Sequence, residues 1–241
     1  MITGFGLSAP AWLAACLLAT GIGFPGMARA QSSCSSDGQG RPVALLERFI
    51  NADCADCWTD PATPRADRGA VVLDWVVPGN QGDNAPLSAV ATRDGLKRLE
   101  ALGTAPPPAS LNRKTHVQGR TGTLRVAHGL PVSGYIGASI AFKGVVPKTA
   151  AQPWTAWLAL VETIPVGTEG TPVARNMVRN LIQSTWDGPQ QLSNTEQKSF
   201  IESRSMDVPA GMNTGRVRVI GWVQDAQGRI LLAAQSRCVK G

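Results

Sequence analysis

The sequence predicts an α+β fold, with an N-terminal α/β unit followed by a mainly β, sandwich-like C-terminal part. Three observations predict it. Two apolar runs, residues 42–50 and 70–77, are each followed by a segment with helical features. From about Arg113 the pattern changes to short alternating runs separated by Gly and Pro. Four cysteines also survive an N-terminal export signal, which sets an oxidising compartment for the fold.

The export signal occupies residues 1–30. Residues 11–24, AWLAACLLATGIGF, are apolar or small throughout, and Pro25-Gly26 then break any helix. Ala28-Arg29-Ala30 supplies the small-x-small pattern of a cleavage site. The apolar stretch is shorter than the roughly 20 residues of a membrane span. No Lys or Arg precedes it, a departure from the usual signal. Leu13-Ala14-Ala15-Cys16 resembles a lipoprotein acylation box, but the apolar run continues past Cys16. Cleavage after Ala30 is therefore preferred, with Gln31 as the first mature residue and a periplasmic or extracellular destination. Cleavage would remove Arg29 and lower the net charge from +6 by one. The remaining basic residues are scattered, which argues against a nucleic-acid partner. No second apolar stretch is long enough to span a bilayer.

The elements follow in order. Residues 31–41, QSSCSSDGQGR, are a polar linker. Residues 42–50 are rich enough to be a buried strand. Asn51 or Asp53 could cap a helix that starts at the cysteines, and Pro61 and Pro64 keep it short. Residues 70–77, AVVLDWVV, form a second buried strand, and 78–85 an irregular loop. Residues 88–102 are the best helix: Val90, Leu96, Leu99 and Leu102 share a face, and Gly103 stops it. Residues 105–108 are an extended connector. Strands are expected over 115–118, 123–128, 136–142, 154–162, 176–185, 198–206, 216–224 and 230–236. Asp225-Ala226-Gln227-Gly228 closes a hairpin between the last two.

Cys34, Cys54, Cys57 and Cys238 allow three pairings. Local closure of the C-x-x-C leaves Cys34 with Cys238, one near each mature end, and chain ends often lie close together. That pair reads as a structural disulfide. The C-x-x-C itself has the spacing of a redox site. A thiolate on a helix N-terminus is stabilised by backbone amides, and a second thiol three residues on resolves the mixed disulfide. Cys54 would attack and Cys57 resolve. Asp53 and Asp56 oppose this by placing negative charge beside the thiols.

Residues 43–49 before Cys54-Ala55-Asp56-Cys57, the strand Val71-Val72-Leu73-Asp74-Trp75, and Asp83-Asn84-Ala85-Pro86-Leu87-Ser88 carry a resemblance. So do Gly221-Trp222-Val223-Gln224-Asp225 and Gly228-Arg229-Ile230-Leu231. Together they resemble the secreted thioredoxin-like proteins of bacteria catalogued as a domain of unknown function. The resemblance implies a thioredoxin-like domain over 42–120, followed by a β-sandwich-like domain over 121–241. It implies no established activity. A thioredoxin-like site also wants a cis-proline before a strand, and Pro108 is the nearest candidate, separated from the expected strand by residues 109–113.

Other chemistries are poorly supported. A zinc site needs four ligands, and no second cysteine pair accompanies the first; no metal is expected. His116 and His128 read as solvent-facing. No Gly-x-Ser-x-Gly and no phosphate-binding glycine loop occurs, and no cofactor is expected. Trp75, Trp154, Trp157, Trp186 and Trp222 read as core or sheet-face residues. Trp58, beside Cys57, could shield the disulfide or contact a partner peptide. Two functions stand: thiol–disulfide exchange on protein thiols or disulfides through Cys54 and Cys57, or a non-catalytic secreted or envelope-associated binding module whose disulfides are structural.

Overall fold

The computed structural model describes residues 1, 4, 34–119, 122–144, 153–186 and 198–238. Apart from Met1 and Gly4, the expected signal peptide, including Cys16 and Ala30, lies outside those described residues, as does Gln31.

The first apolar run forms β2 (Ala44–Asn51), after the two-residue β1 (Cys34–Ser35). The short helix α1 (Ala55–Thr59) starts at the cysteines and ends before Pro61, but its N-cap is Cys54, and neither Asn51 nor Asp53 caps it with a side chain. β3 (Ala70–Val77) has the predicted bounds. The second helix is shorter than its periodicity suggests. Residues 88–90 form a 3₁₀ turn, and α2 spans only Arg93–Ala101. Ala91 and Thr92 are extended because the Thr92 amide donates to the Val76 carbonyl, an alternative to helical bonding. Gly103 takes φ +62°, the left-handed conformation that ends helices.

The remaining strands are β4 (Ser110–His116), β5 (Thr123–His128), β6 (Tyr135–Gly144), β7 (Trp154–Ile164), β8 (Arg175–Trp186), β9 (Lys198–Asp207), β10 (Val217–Gln224), β11 (Ile230–Gln235) and β12 (Arg237–Cys238). They make two sheets, one of five strands in the order β12-β1-β5-β6-β9 and one of seven in the order β11-β10-β7-β8-β3-β2-β4.

This overturns the expected α+β division into a thioredoxin-like α/β unit and a separate sandwich. The fold is mainly β. β2 and β3 pair in parallel, but β3 also pairs with β8 through Asp74 and Met177, so one sheet runs from β4 to β11. The physical reason is coverage. Nearly every residue of β2 and β3 is buried, on both faces. A helix of five residues and another of nine are too short to cover them alone. The neighbouring strands and their side chains complete the cover. The described residues between 34 and 238 accordingly belong to one compact unit.

Alternation along the long strands divides the core. Trp154, Ala156, Leu158 and Leu160 of β7 face Val126, Ile140, Phe142 and Phe200 of the five-stranded sheet. Trp157, Ala159 and Val161 point the other way, toward Trp75, Trp222 and Leu99 of α2. On that second face Arg98 is fully buried. It holds Glu47 through two bonds of 2.7 and 2.8 Å and donates to Gln224 at 2.6 Å. Its guanidinium lies 5.1 Å from the ring centres of both Trp157 and Trp222.

The two sheets approach closely at Gly221. A Cβ there would stand 2.6 Å from Val126 Cγ1 and 2.8 Å from Ile140 Cδ1. Gly221→Ala should therefore destabilise by about 1–3 kcal/mol, the cost of overpacking a filled core. Gly137→Ala in β6, where an added Cβ meets open space, should be neutral or stabilising. Urea unfolding of both variants checks the pair, and equal midpoints would refute the close-approach argument.

Candidate functional site

The C-x-x-C follows the carboxyl end of β2. Asn51, the last residue of that strand, organises the turn. Its carbonyl accepts from the Cys54 amide at 3.0 Å, and its side-chain oxygen accepts from the Asp53 amide at 2.9 Å. Its side-chain amide donates to the Pro107 carbonyl at 3.0 Å, and its backbone amide donates to Ala109 at 2.8 Å. Asn51 thus ties the cysteine turn to the proline connector. Because β4 begins at Ser110, only Ala109 separates Pro108 from a strand. Pro107 is buried and Pro108 exposed. The sequence places β4 too late because SLNRKTH is a polar edge strand without apolar alternation.

Cys54 and Cys57 are disulfide-bonded at 2.00 Å, both half-buried, with Cys54 at the N-cap of α1. The Asp53 carboxylate accepts from the amides of Asn80 at 2.7 Å and Gln81 at 3.2 Å. Its charge is therefore met by two backbone donors. Asp56 is exposed in the first turn of α1.

Trp58 points inward. It packs with Ile50, Ile164 and Met177, and Cys57 rests against this cluster. Its indole N–H donates to the Glu169 carbonyl at 2.7 Å. It is a floor beneath the disulfide, not a surface for a partner.

Beneath α1 lies a charged cluster that the sequence reading missed. Asp74 accepts from Arg48 Nε and Nη2, both at 2.7 Å, from Arg175 Nη1 at 3.2 Å and from the Asn176 amide at 2.7 Å. All three charged side chains are 0–2% exposed. Arg48 also donates to the carbonyls of Pro64 and Ala174, both at 2.9 Å. Arg175 donates to the carbonyls of Trp58 at 2.8 Å and Cys57 at 3.3 Å, and stacks on the Trp58 ring at 4.7 Å. Burial pulls the Arg175 pKa below its ordinary value, and the Asp74 charge opposes that pull. A cavity of about 150 Å³ lies here, lined among others by Arg48, Arg175, Cys57 and Asn112. A signal for two of these residues was present: Arg48 and Asp74 are charges inside apolar runs, and β2 and β3 register them opposite each other. Nothing in the sequence around Arg175 marks it.

The other cysteines sit on the five-stranded sheet. Cys34 and Cys238 are bonded at 2.02 Å and are register partners of β1 and β12. His128 is the register partner of Cys34 on β5 and is 5% exposed, which corrects its reading as solvent-facing. The apolar packing of β5 against the facing sheet draws it inward. Its Nδ1–H donates to the Gly129 carbonyl at 2.9 Å, and its Nε2 has no hydrogen-bond partner among the described residues. Desolvation holds its pKa below the ordinary histidine value. The ligand atoms of His128, Cys34 and Cys238 lie within 4.8 Å of one another, but the two sulfurs are bonded to each other. His116 is exposed, as expected. Among the described residues no helix is long and apolar enough to cross a membrane.

No family model matches the chain, and no curated protein matches its sequence. Among solved structures, HBP35 of Porphyromonas gingivalis is similar to it at 12% identity, over 84% of this chain and 76% of that one, with a TM-score of 0.48.

Proposed function

We propose that this is an exported protein that exchanges disulfides with protein thiols through Cys54 and Cys57. The observation that carries the reading is a half-buried C-x-x-C disulfide at the first turn of a helix, directly after a buried strand and tied to a proline connector by Asn51. In the reduced form, Cys54 as thiolate would attack a substrate disulfide, forming a mixed disulfide and releasing one substrate thiolate. Cys57 would then attack the Cys54 sulfur and release the second. The substrate disulfide gains two electrons and the protein dithiol loses them, so the chemistry uses no cofactor.

A reduction potential from equilibration in glutathione buffers tests the reading, with insulin reduction in parallel. Cys54 should alkylate faster than Cys57, and Asp56→Ala should accelerate it by removing a like charge. Should Cys54 stay unreactive in both proteins, with no turnover above a Cys54→Ser control, the exchange reading fails. The second reading, a non-catalytic secreted or envelope-associated binding module, would then stand. One observation favours it: Arg175 holds the Cys57 and Trp58 carbonyls, which anchors the turn around the disulfide as a structural element.

Export has its own test. The protein recovered from the exported fraction should begin at Gln31. An intact mass that retains residues 1–30, or a lipid on Cys16, would overturn cleavage after Ala30.

A further inference from the structure

A second cavity, of about 380 Å³, opens near the starts of β3 and β8. Arg48, Arg65, Arg175 and Arg218 all contribute to its lining. Among the described residues Asp74 is the one carboxylate hydrogen-bonded to any of these four, and Arg48 and Arg175 share it. Arg65 and Arg218 have no hydrogen-bond or ion-pair partner among the described residues. Arg218 is half-buried there, and burial together with the charge of Arg237 disfavours its protonated form. The rest of the wall is largely aliphatic: Val72, Val166, Val173 and Ala174.

Four guanidiniums line the cavity and one buried carboxylate, Asp74, is bonded to two of them, which leaves the cavity with excess positive charge. Guanidinium groups bind carboxylate and phosphate oxygens through paired N–H donors, more strongly where water is partly excluded. A volume of this size accommodates a small ligand, and aliphatic walls favour a non-polar body. We infer that this cavity is a binding site for a small organic anion with an aliphatic body, its carboxylate or phosphate head held by Arg65 and Arg218. The inference does not rest on disulfide exchange, because the cysteines do not line this cavity.

Calorimetric titration of the full, oxidised protein tests it, with hexanoate and hexyl phosphate as probes, hexanol as the neutral control and inorganic phosphate as the control without a body. One or both hexyl anions should bind saturably at one site, at least about tenfold more tightly than hexanol or inorganic phosphate. Preference between the two anions identifies the head group. The double variant Arg65→Gln/Arg218→Gln should weaken binding by about tenfold or more. Its melting temperature should change little, because neither guanidinium has a hydrogen-bond or ion-pair partner among the described residues and the backbone pairing of Arg218 with Val161 is kept. Absence of saturable binding by both anions up to about 10 mM would overturn the inference. So would hexanol binding equally well, or a double variant that binds as the parent does.

Discussion

Asp74→Ala should destabilise the protein by about 3–5 kcal/mol, the range for breaking a buried ion pair by removing one partner. Asp74 accepts four hydrogen bonds and faces two arginines that no solvent reaches. Without it, two like charges remain buried beside each other with no carboxylate to receive them. Asp74→Asn keeps the shape, removes the charge and turns a donor toward a guanidinium, so it should also destabilise. Replacing all three residues by apolar ones of similar volume (Arg48→Met, Asp74→Leu, Arg175→Met) should recover most of the loss. Urea unfolding followed by tryptophan emission measures the series. Trp58 lies directly under Arg175, so its environment should loosen in the Ala variant. A loss below about 1 kcal/mol for Asp74→Ala would contradict the buried cluster as described.

Removing the Cys34–Cys238 disulfide is the second large effect. The bridge spans 204 residues of sequence, and a loop-entropy argument assigns such a closure up to about 5 kcal/mol. The strands it joins are two residues long and hold only two register pairs. β1 is also paired with β5, but β12 lies at the sheet edge with β1 as its neighbour, and terminal segments fray unless tied down. Cys34→Ala/Cys238→Ala should lower the unfolding midpoint strongly. It should also speed hydrogen exchange of the Ser36 amide, which donates to Val126 across the β1–β5 edge. Non-reducing peptide mapping must link Cys34 to Cys238. A link from Cys34 to Cys54 or Cys57 instead would refute the pairing and remove the basis of exchange at Cys54.

Much of the strand pattern was legible because burial leaves a direct mark on sequence. Residues 70–77 are apolar at almost every position, and β3 has those bounds. The hairpin at Asp225-Ala226-Gln227-Gly228 was legible for the same kind of reason: Gly228 takes φ +75°, a conformation few other residues adopt easily. What failed was assembly. That β3 lies beside β8 depends on a pairing between Asp74 and Met177, and no local pattern encodes a contact about a hundred residues away. β4 was misplaced because an exposed edge strand need not alternate. At the candidate site the cysteines were visible from spacing alone. Arg48 and Asp74 were visible only as anomalies within apolar runs, and the meaning of those anomalies came from Arg175, which nothing local announces. The same holds for Arg98, which reads as an ordinary helix-surface charge until Glu47, Trp157 and Trp222 surround it.

The placement of β1 beside β12 also has a consequence for the order in which the molecule can be finished. A chain that emerges amino end first presents Cys34 long before residues 237–238 exist to pair with it. The edge of the five-stranded sheet therefore closes last, and throughout that interval Cys34 carries a thiol without its native partner. Cys54 and Cys57, three residues apart, can close on each other as soon as both have emerged, since a short loop forms far faster than a long one. Early closure takes the two nearest competitors out of circulation and leaves Cys238 as the remaining partner for Cys34 among the four cysteines expected in the mature chain. Early closure of the local pair would therefore lower the chance that Cys34 mispairs before Cys238 emerges.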